Sequence, residues 1–100
     1  MNDDYQWPED GDDLARRARA TWNETVSRLS IGDRITGTVV GRQHFGVFLT
    51  VNEVVGAMAE AEIVNIPNDM ELPRISESVT GKVIGFDGER CQIFVTIDND

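Results

Sequence analysis

The stretch His44-Phe45-Gly46-Val47-Phe48-Leu49-Thr50-Val51 decides the fold. From Val47 onward it alternates with side-chain period two, the signature of a strand. Val47, Leu49 and Val51 share one face, and three aliphatic side chains at that spacing suit a core. Phe48 and Thr50 take the opposite face, toward water. Gly46 follows Phe45 directly, where a glycine marks a bulge or a close backbone approach. Two rings, Phe45 and Phe48, therefore belong on the outer surface of a small β domain, either open to water or covered by a loop or the N-terminal segment. Rings placed that way form a stacking surface for unpaired bases, each stacked base contributing roughly 1–3 kcal/mol.

The flanking segments supply the other strands. Residues 34–42 form a first strand, rich in Thr, Val and Ile, in which Gly37 and Gly41 permit the bending of a small closed barrel. After a turn at 51–54, residues 55–58 read as a short third strand. Residues 59–64, Ala-Glu-Ala-Glu-Ile-Val, read as a short helix because Ala and Glu are good helix formers. Residues 65–77 carry Pro67, Asn68, Asp69 and Pro73 and form a long irregular connection, of a length that often faces a partner. Residues 79–86 form a fourth strand, Asp87-Gly88-Glu89-Arg90 a hairpin turn, and residues 91–97 a fifth strand. On the last strand Ile93, Val95 and Ile97 face inward and Phe94 outward, like Phe48.

Upstream, Leu14, Ala18, Trp22, Val26 and Leu29 recur as one apolar stripe, which predicts a helix over 14–29 docked on the β domain through Trp22. Its arginines, Arg16, Arg17 and Arg19, read better as a solvated face than as a phosphate patch. Residues 1–13 carry six acids and no base. They are expected to be a loose acidic tail in which Tyr5 and Trp7 read as incidental rings, ahead of the alternative that the two dock on the domain or on a partner. The expected organisation is a disordered tail over 1–13, a helix over 14–30 and a β domain over 31–100. The fold class is all-β, a five-stranded OB-fold Greek-key barrel preceded by one N-terminal α-helix. An SH3-like barrel also has five strands, but the long insert after strand three favours the OB order.

Composition narrows the function. A chain of 100 residues makes one domain. Cys91 is a lone cysteine and His44 a lone histidine, so neither a disulfide nor a zinc site is expected, and nothing calls for a cofactor. The acidic start is unlike a signal peptide, and no apolar run reaches the roughly 20 residues that span a bilayer, so a cytoplasmic protein is expected. The formal net charge of −9 is unusual for a nucleic-acid binder.

Four segments, Gly32-Asp33-Arg34-Ile35-Thr36-Gly37-Thr38-Val39, Phe45-Gly46-Val47-Phe48-Leu49, Val55-Gly56-Ala57-Met58 and Val83-Ile84-Gly85-Phe86-Asp87, resemble the S-one RNA-binding domain, the repeat of the largest small-subunit ribosomal protein. The resemblance runs from about Gly32 to Ile97. It implies an OB barrel that binds single-stranded RNA on one face, with the strand-two aromatics at Phe45 and Phe48 and the acidic residue before the last hairpin at Asp87. The sequence departs from the family at several positions. The strand-three histidine, counted from Gly56, is Ala59. The basic residue of the last strand falls near Gln92, with Arg90 two residues earlier. An aliphatic position of the first strand is Arg42.

The first expectation is a non-catalytic, weakly binding single-stranded RNA module acting as a monomer. Phe45, Phe48 and Phe94 would stack bases, His44 would stack or hydrogen-bond, and Arg42, Lys82 and Arg90 would meet phosphate. The alternative is a protein-interaction module of the same fold, whose acidic surface suits a basic partner of the translation or transcription machinery. An enzyme is disfavoured, since no Cys/His pair, phosphate loop or metal constellation is present.

Overall fold

In the computed structural model, which describes residues 5–98, Gly46–Val51 is strand β2, and Val47 and Leu49 on its inner face are wholly buried. It pairs antiparallel with β1 (Arg34–Gln43) on one side and β3 (Met58–Glu62) on the other. Strand β4 (Ser78–Asp87) pairs antiparallel with β1 and with β5 (Gln92–Val95), and β5 runs parallel to β3. The five strands close a barrel in the order β1-β2-β3-β5-β4, the OB arrangement. Ile35, Val39, Val47, Leu49, Ile93 and Val95 fill the interior. Each fully buried aliphatic side chain of this kind contributes about 1.5–3 kcal/mol.

Two bulges set which residues face out. In β1, Val39 pairs with Leu49 but Gly41 pairs with Phe48, so Val40 is an extra residue. A one-residue insertion inverts the facing of everything after it. In β4 the same happens between Val83, opposite Val95, and Gly85, opposite Phe94. Each outward phenylalanine, Phe48 and Phe94, thus lies across from a glycine that leaves room for its ring.

The third strand differs from expectation. It runs over Met58–Glu62, not 55–58, and the expected helix over 59–64 is reduced to a single 3-10 turn at Ile63–Asn65. The helix propensity of Ala-Glu-Ala-Glu loses to tertiary pairing, because this segment is hydrogen-bonded between β2 and β5 and its inward alanines, Ala59 and Ala61, are wholly buried.

The expected single N-terminal helix is two, α1 (Gly11–Ala20) and α2 (Trp22–Arg28). The break is at Thr21, whose hydroxyl donates to the Arg17 carbonyl at 2.9 Å, a back-bond that bends helices. Buried Ala18 packs with Met58 and Cys91, and Leu14, Trp22, Val40 and Phe48 pack around them, which seats α1 on the outside of the barrel beside Phe48. Trp22 also meets Phe86 edge-on, with ring centres 6.3 Å apart. Among the described residues no helix is long and apolar enough to cross a membrane.

Candidate nucleic-acid interface

The interface starts at the tight link between β1 and β2. Gly46 has φ +153°, and a Cβ there would run into the Ala61 carbonyl oxygen, so the start of β2 is pinched against β3. The pinch carries Phe45 and His44 to the outer rim. His44 and Phe45 stand edge-to-face at 5.5 Å, and Phe45 and Phe48 at 6.1 Å. Both phenylalanines project away from the barrel interior and are half-buried.

What half-buries them is the N-terminal segment. Residues 5–8 were expected in a loose tail. Instead, Gln6 forms an antiparallel bridge with Arg42, each amide donating to the other's carbonyl at 2.8 Å. Pro8 takes the space that Gly41 leaves open, since a Cβ at Gly41 would stand 2.8 Å from the Pro8 Cδ. The bulge at Val40 turns Gly41 outward to receive it. Trp7 then lies against both phenylalanines, 6.1 Å from Phe45 and 5.9 Å from Phe48, and Tyr5 stands 6.3 Å from His44. Five rings form one continuous outer patch. Trp7, 62% exposed, is its outermost member.

Arg42, expected to contact phosphate, is buried. The same bulge explains it: Arg42 pairs with inward-facing Val47, so it lies on the interior side of its strand. Its Nε donates to the Pro73 carbonyl at 2.9 Å and its Nη2 to the Leu72 carbonyl at 3.0 Å, while the guanidinium carbon lies 5.5 Å from the Tyr5 ring centre. It anchors the 65–77 connection and, above it, residues 5–8, which form an N-terminal strap.

A second group lies on the β3–β5 side. By register Phe48 is opposite Glu60, and Glu60 opposite Phe94, so these three share the outer face in a row. Ala59, where counting from Gly56 put the family histidine, faces the interior, and the outward position is Glu60. The Glu60 Oε1 accepts a hydrogen bond from the Gln92 Nε2 at 3.1 Å. Gln92 and Arg90 join Trp7, Phe48, Met58 and the α1 residue Ala15 around a cleft of about 190 Å³.

Glu60 is 5% exposed. Burial raises its carboxyl above the ordinary value of 4.5, the negative charges of Glu62 and Asp87 add to the rise, and Arg90 and the Gln92 hydrogen bond partly oppose it. A carboxyl whose folded-state pKa is raised supports the fold fully below its unfolded value and loses that support as pH rises through the folded value. Glu60→Gln keeps an oxygen for Gln92 and cannot ionise. The stability difference between E60Q and the natural chain is therefore expected to shift in favour of glutamine as pH rises above 4.5, and to flatten below it. Urea midpoints across that range measure it, and a pH-independent difference would refute it.

The remaining expected residues separate. Asp87 accepts from the amides of Glu89 and Arg90 at 3.1 and 3.2 Å, so its carboxylate organises the hairpin. Arg90 extends from that hairpin and is largely exposed at the cleft. Lys82 pairs in register with Arg34, at the far end of β1 from the rings. Among the described residues no His/Cys/Asp/Glu group is placed to hold a metal ion. Tyr5, Trp7, Glu60 and Gln92 enter the site without having been expected there. The signal for Glu60 was present as alternation, small inward alanines at 59 and 61 between polar or long residues at 58, 60 and 62, but it was weaker than the helix propensity of the same letters.

No protein-family model matches the sequence, and no curated protein matches it. Solved structures share its fold. GSP13 from Bacillus subtilis superposes with a TM-score of 0.60 at 24% identity, over 70% of this chain and 56% of that one. A chain of the a/eIF2alpha–aDim2p–rRNA complex from Pyrococcus horikoshii OT3 gives 0.56 at 23%, over 68% and 44%. RNase R from Mycoplasma genitalium, solved in complex with ribose methylated single-stranded RNA, gives 0.60 at 14%, over 90% and 15%. The chain spans about half or less of the length of these proteins, and the likeness establishes the shared OB-type barrel.

Proposed function

We propose that this chain is a non-catalytic module that binds single-stranded RNA through its outer ring patch. The observation that carries the reading is the run of Tyr5, Trp7, His44, Phe45 and Phe48 on the outside of a barrel whose core is already filled by aliphatic side chains. The barrel core is complete without these rings, and a base can stack on any of them that keeps an open face. Trp7 is the ring an incoming base meets first, and Phe45 and Phe48 hold it in place from behind. The like fold of a protein solved with single-stranded RNA supports the same reading.

Binding is weak and carried by stacking. The chain has a net charge of −9, and Arg90 is the cation that lines the cleft. Each phosphate neutralised on a single strand adds about −0.7 to the slope of log affinity against log salt, so the slope is expected to be shallow. A titration with a single strand of about eight nucleotides, within the usual reach of one OB fold, tests the proposal through ring-proton chemical shifts. Trp7, His44 and Phe45 are expected to move most. Binding that leaves these rings unshifted would refute the stacking site. A second reading, a protein-interaction module for a basic partner, rests on the acidity of the chain and on the exposed Val55 and Val64. It predicts no response to the RNA titration.

A further inference from the structure

We infer that Glu60 and Gln92 form a base-reading pair at the ring patch, and that it selects guanine. The inference rests on the RNA-binding reading above and specifies which base the ring patch takes. The Glu60–Gln92 hydrogen bond uses one carboxylate oxygen and the amide nitrogen. The remaining oxygens, Glu60 Oε2 and Gln92 Oε1, accept no hydrogen bond among the described residues. No buried side-chain oxygen or nitrogen among those residues lacks a partner, so both oxygens reach solvent. Two otherwise buried side chains thus keep one acceptor each at the surface, Gln92 in the cleft with Phe48, Trp7 and Arg90, and Glu60 next to Phe48 across the β2–β3 ladder.

Acceptors of this kind call for donors, and the bases differ in what they offer. The Watson–Crick edge of guanine presents N1–H and N2–H side by side, two donors for two acceptors. Adenine and cytosine present one amino group next to a ring nitrogen that is itself an acceptor. Uracil presents one N–H between two carbonyls, each of which would face an acceptor and leave it without a partner. A carboxylate reading base amino groups is a known pairing, and a good two-point contact is decisive against the wrong base. Glu60 and Gln92 are fixed to each other before the base arrives, which limits the ordering that binding requires. The flanking rings supply stacking without preference, so selectivity falls to this pair.

The test uses the full chain and strands of about eight uridines in which one central position is uridine, adenosine, inosine or guanosine. The guanosine strand is expected to bind about tenfold more tightly than the all-uridine strand, with inosine, which lacks the N2 amino group, between them. In Glu60→Gln the ratio of guanosine to uridine affinity is expected to collapse toward one. A Glu60 that serves only the fold would weaken both strands together and leave the ratio intact, and that result would overturn the inference. Equal binding of all four strands by the natural chain would overturn it too, while leaving the RNA-binding reading in place. Failure of every strand to bind would overturn that reading, and this inference with it.

Discussion

Trp7→Ala is expected to lower affinity for a short single strand by about tenfold or more, with little effect on folding. Trp7 sits outside the core, 62% exposed, and touches the barrel through tilted contacts with Phe45 and Phe48. Aromatic pairs of that kind contribute about 0.5–1.5 kcal/mol beyond the area they bury, so the melting temperature should fall by only a few degrees. A base stacked on an aromatic side chain contributes about 1–3 kcal/mol, which corresponds to a five-fold to more than hundred-fold change in affinity. Anisotropy of a labelled strand measures the affinity, and thermal unfolding of the same variant measures the rest. Truncation before Trp7, which keeps the ring and removes Gln6, should reproduce much of the loss, because the Gln6–Arg42 bridge is what delivers Trp7 to the phenylalanines. The opposite outcome is informative as well. If affinity rises when Trp7 is removed, the N-terminal segment acts as a cover and the stacking surface is Phe48 beneath it.

Arg42→Leu is expected to cost about 2–5 kcal/mol of stability. The guanidinium serves the Leu72 and Pro73 carbonyls at 3.0 and 2.9 Å, and each buried acceptor left without a donor costs about 1–3 kcal/mol. A domain of this size has about 5–15 kcal/mol in hand, so the variant should unfold at a clearly lower urea concentration. Arg42→Lys should recover little, since one ammonium cannot reproduce two donors held in a planar fork. Hydrogen exchange locates the effect. The Ser76 amide, bonded to the Val39 carbonyl at 2.8 Å, and the Gln6 amide should lose protection first, because Arg42 ties the 65–77 connection and the strap to the same strand. A stability loss confined to global unfolding, with no early exchange at these two amides, would contradict the tie.

The legible part of this structure was the part governed by local alternation. Val47, Leu49 and Val51 read as the inner face of a strand, Phe48 and Phe94 as outward residues, and the five-strand order as an OB barrel, and each of these followed from period-two patterning and turn residues. Arg42 was misread because its facing depends on Val40 being unpaired, which is a fact about register between β1 and β2 rather than about either strand alone. The third strand was misread because Ala-Glu-Ala-Glu prefers helix in isolation and is overruled by pairing with two neighbouring strands, β2 and β5. Docking of the strap took second place in the sequence because six acids and no base describe an unstructured tail well, and its seat is made by the glycine at 41 and by the main-chain hydrogen bonds between Gln6 and Arg42. The four site residues that the sequence left out, Tyr5, Trp7, Glu60 and Gln92, sit on these misread elements or pair with them.

The unpaired Val40 also bears on how this gene can drift. Chemistry at that position is loosely constrained, since the side chain is only half-buried. Residue count at the bulge is no tighter. Losing the codon for Val40 would leave Gly41 opposite Phe48 and Arg42 opposite Val47 in a regular ladder, so the guanidinium keeps its inward seat and the notch for Pro8 stays open. Descendants of this chain are free to change the letter there, or to drop it, as long as Gly41 and Arg42 keep their partners across the ladder.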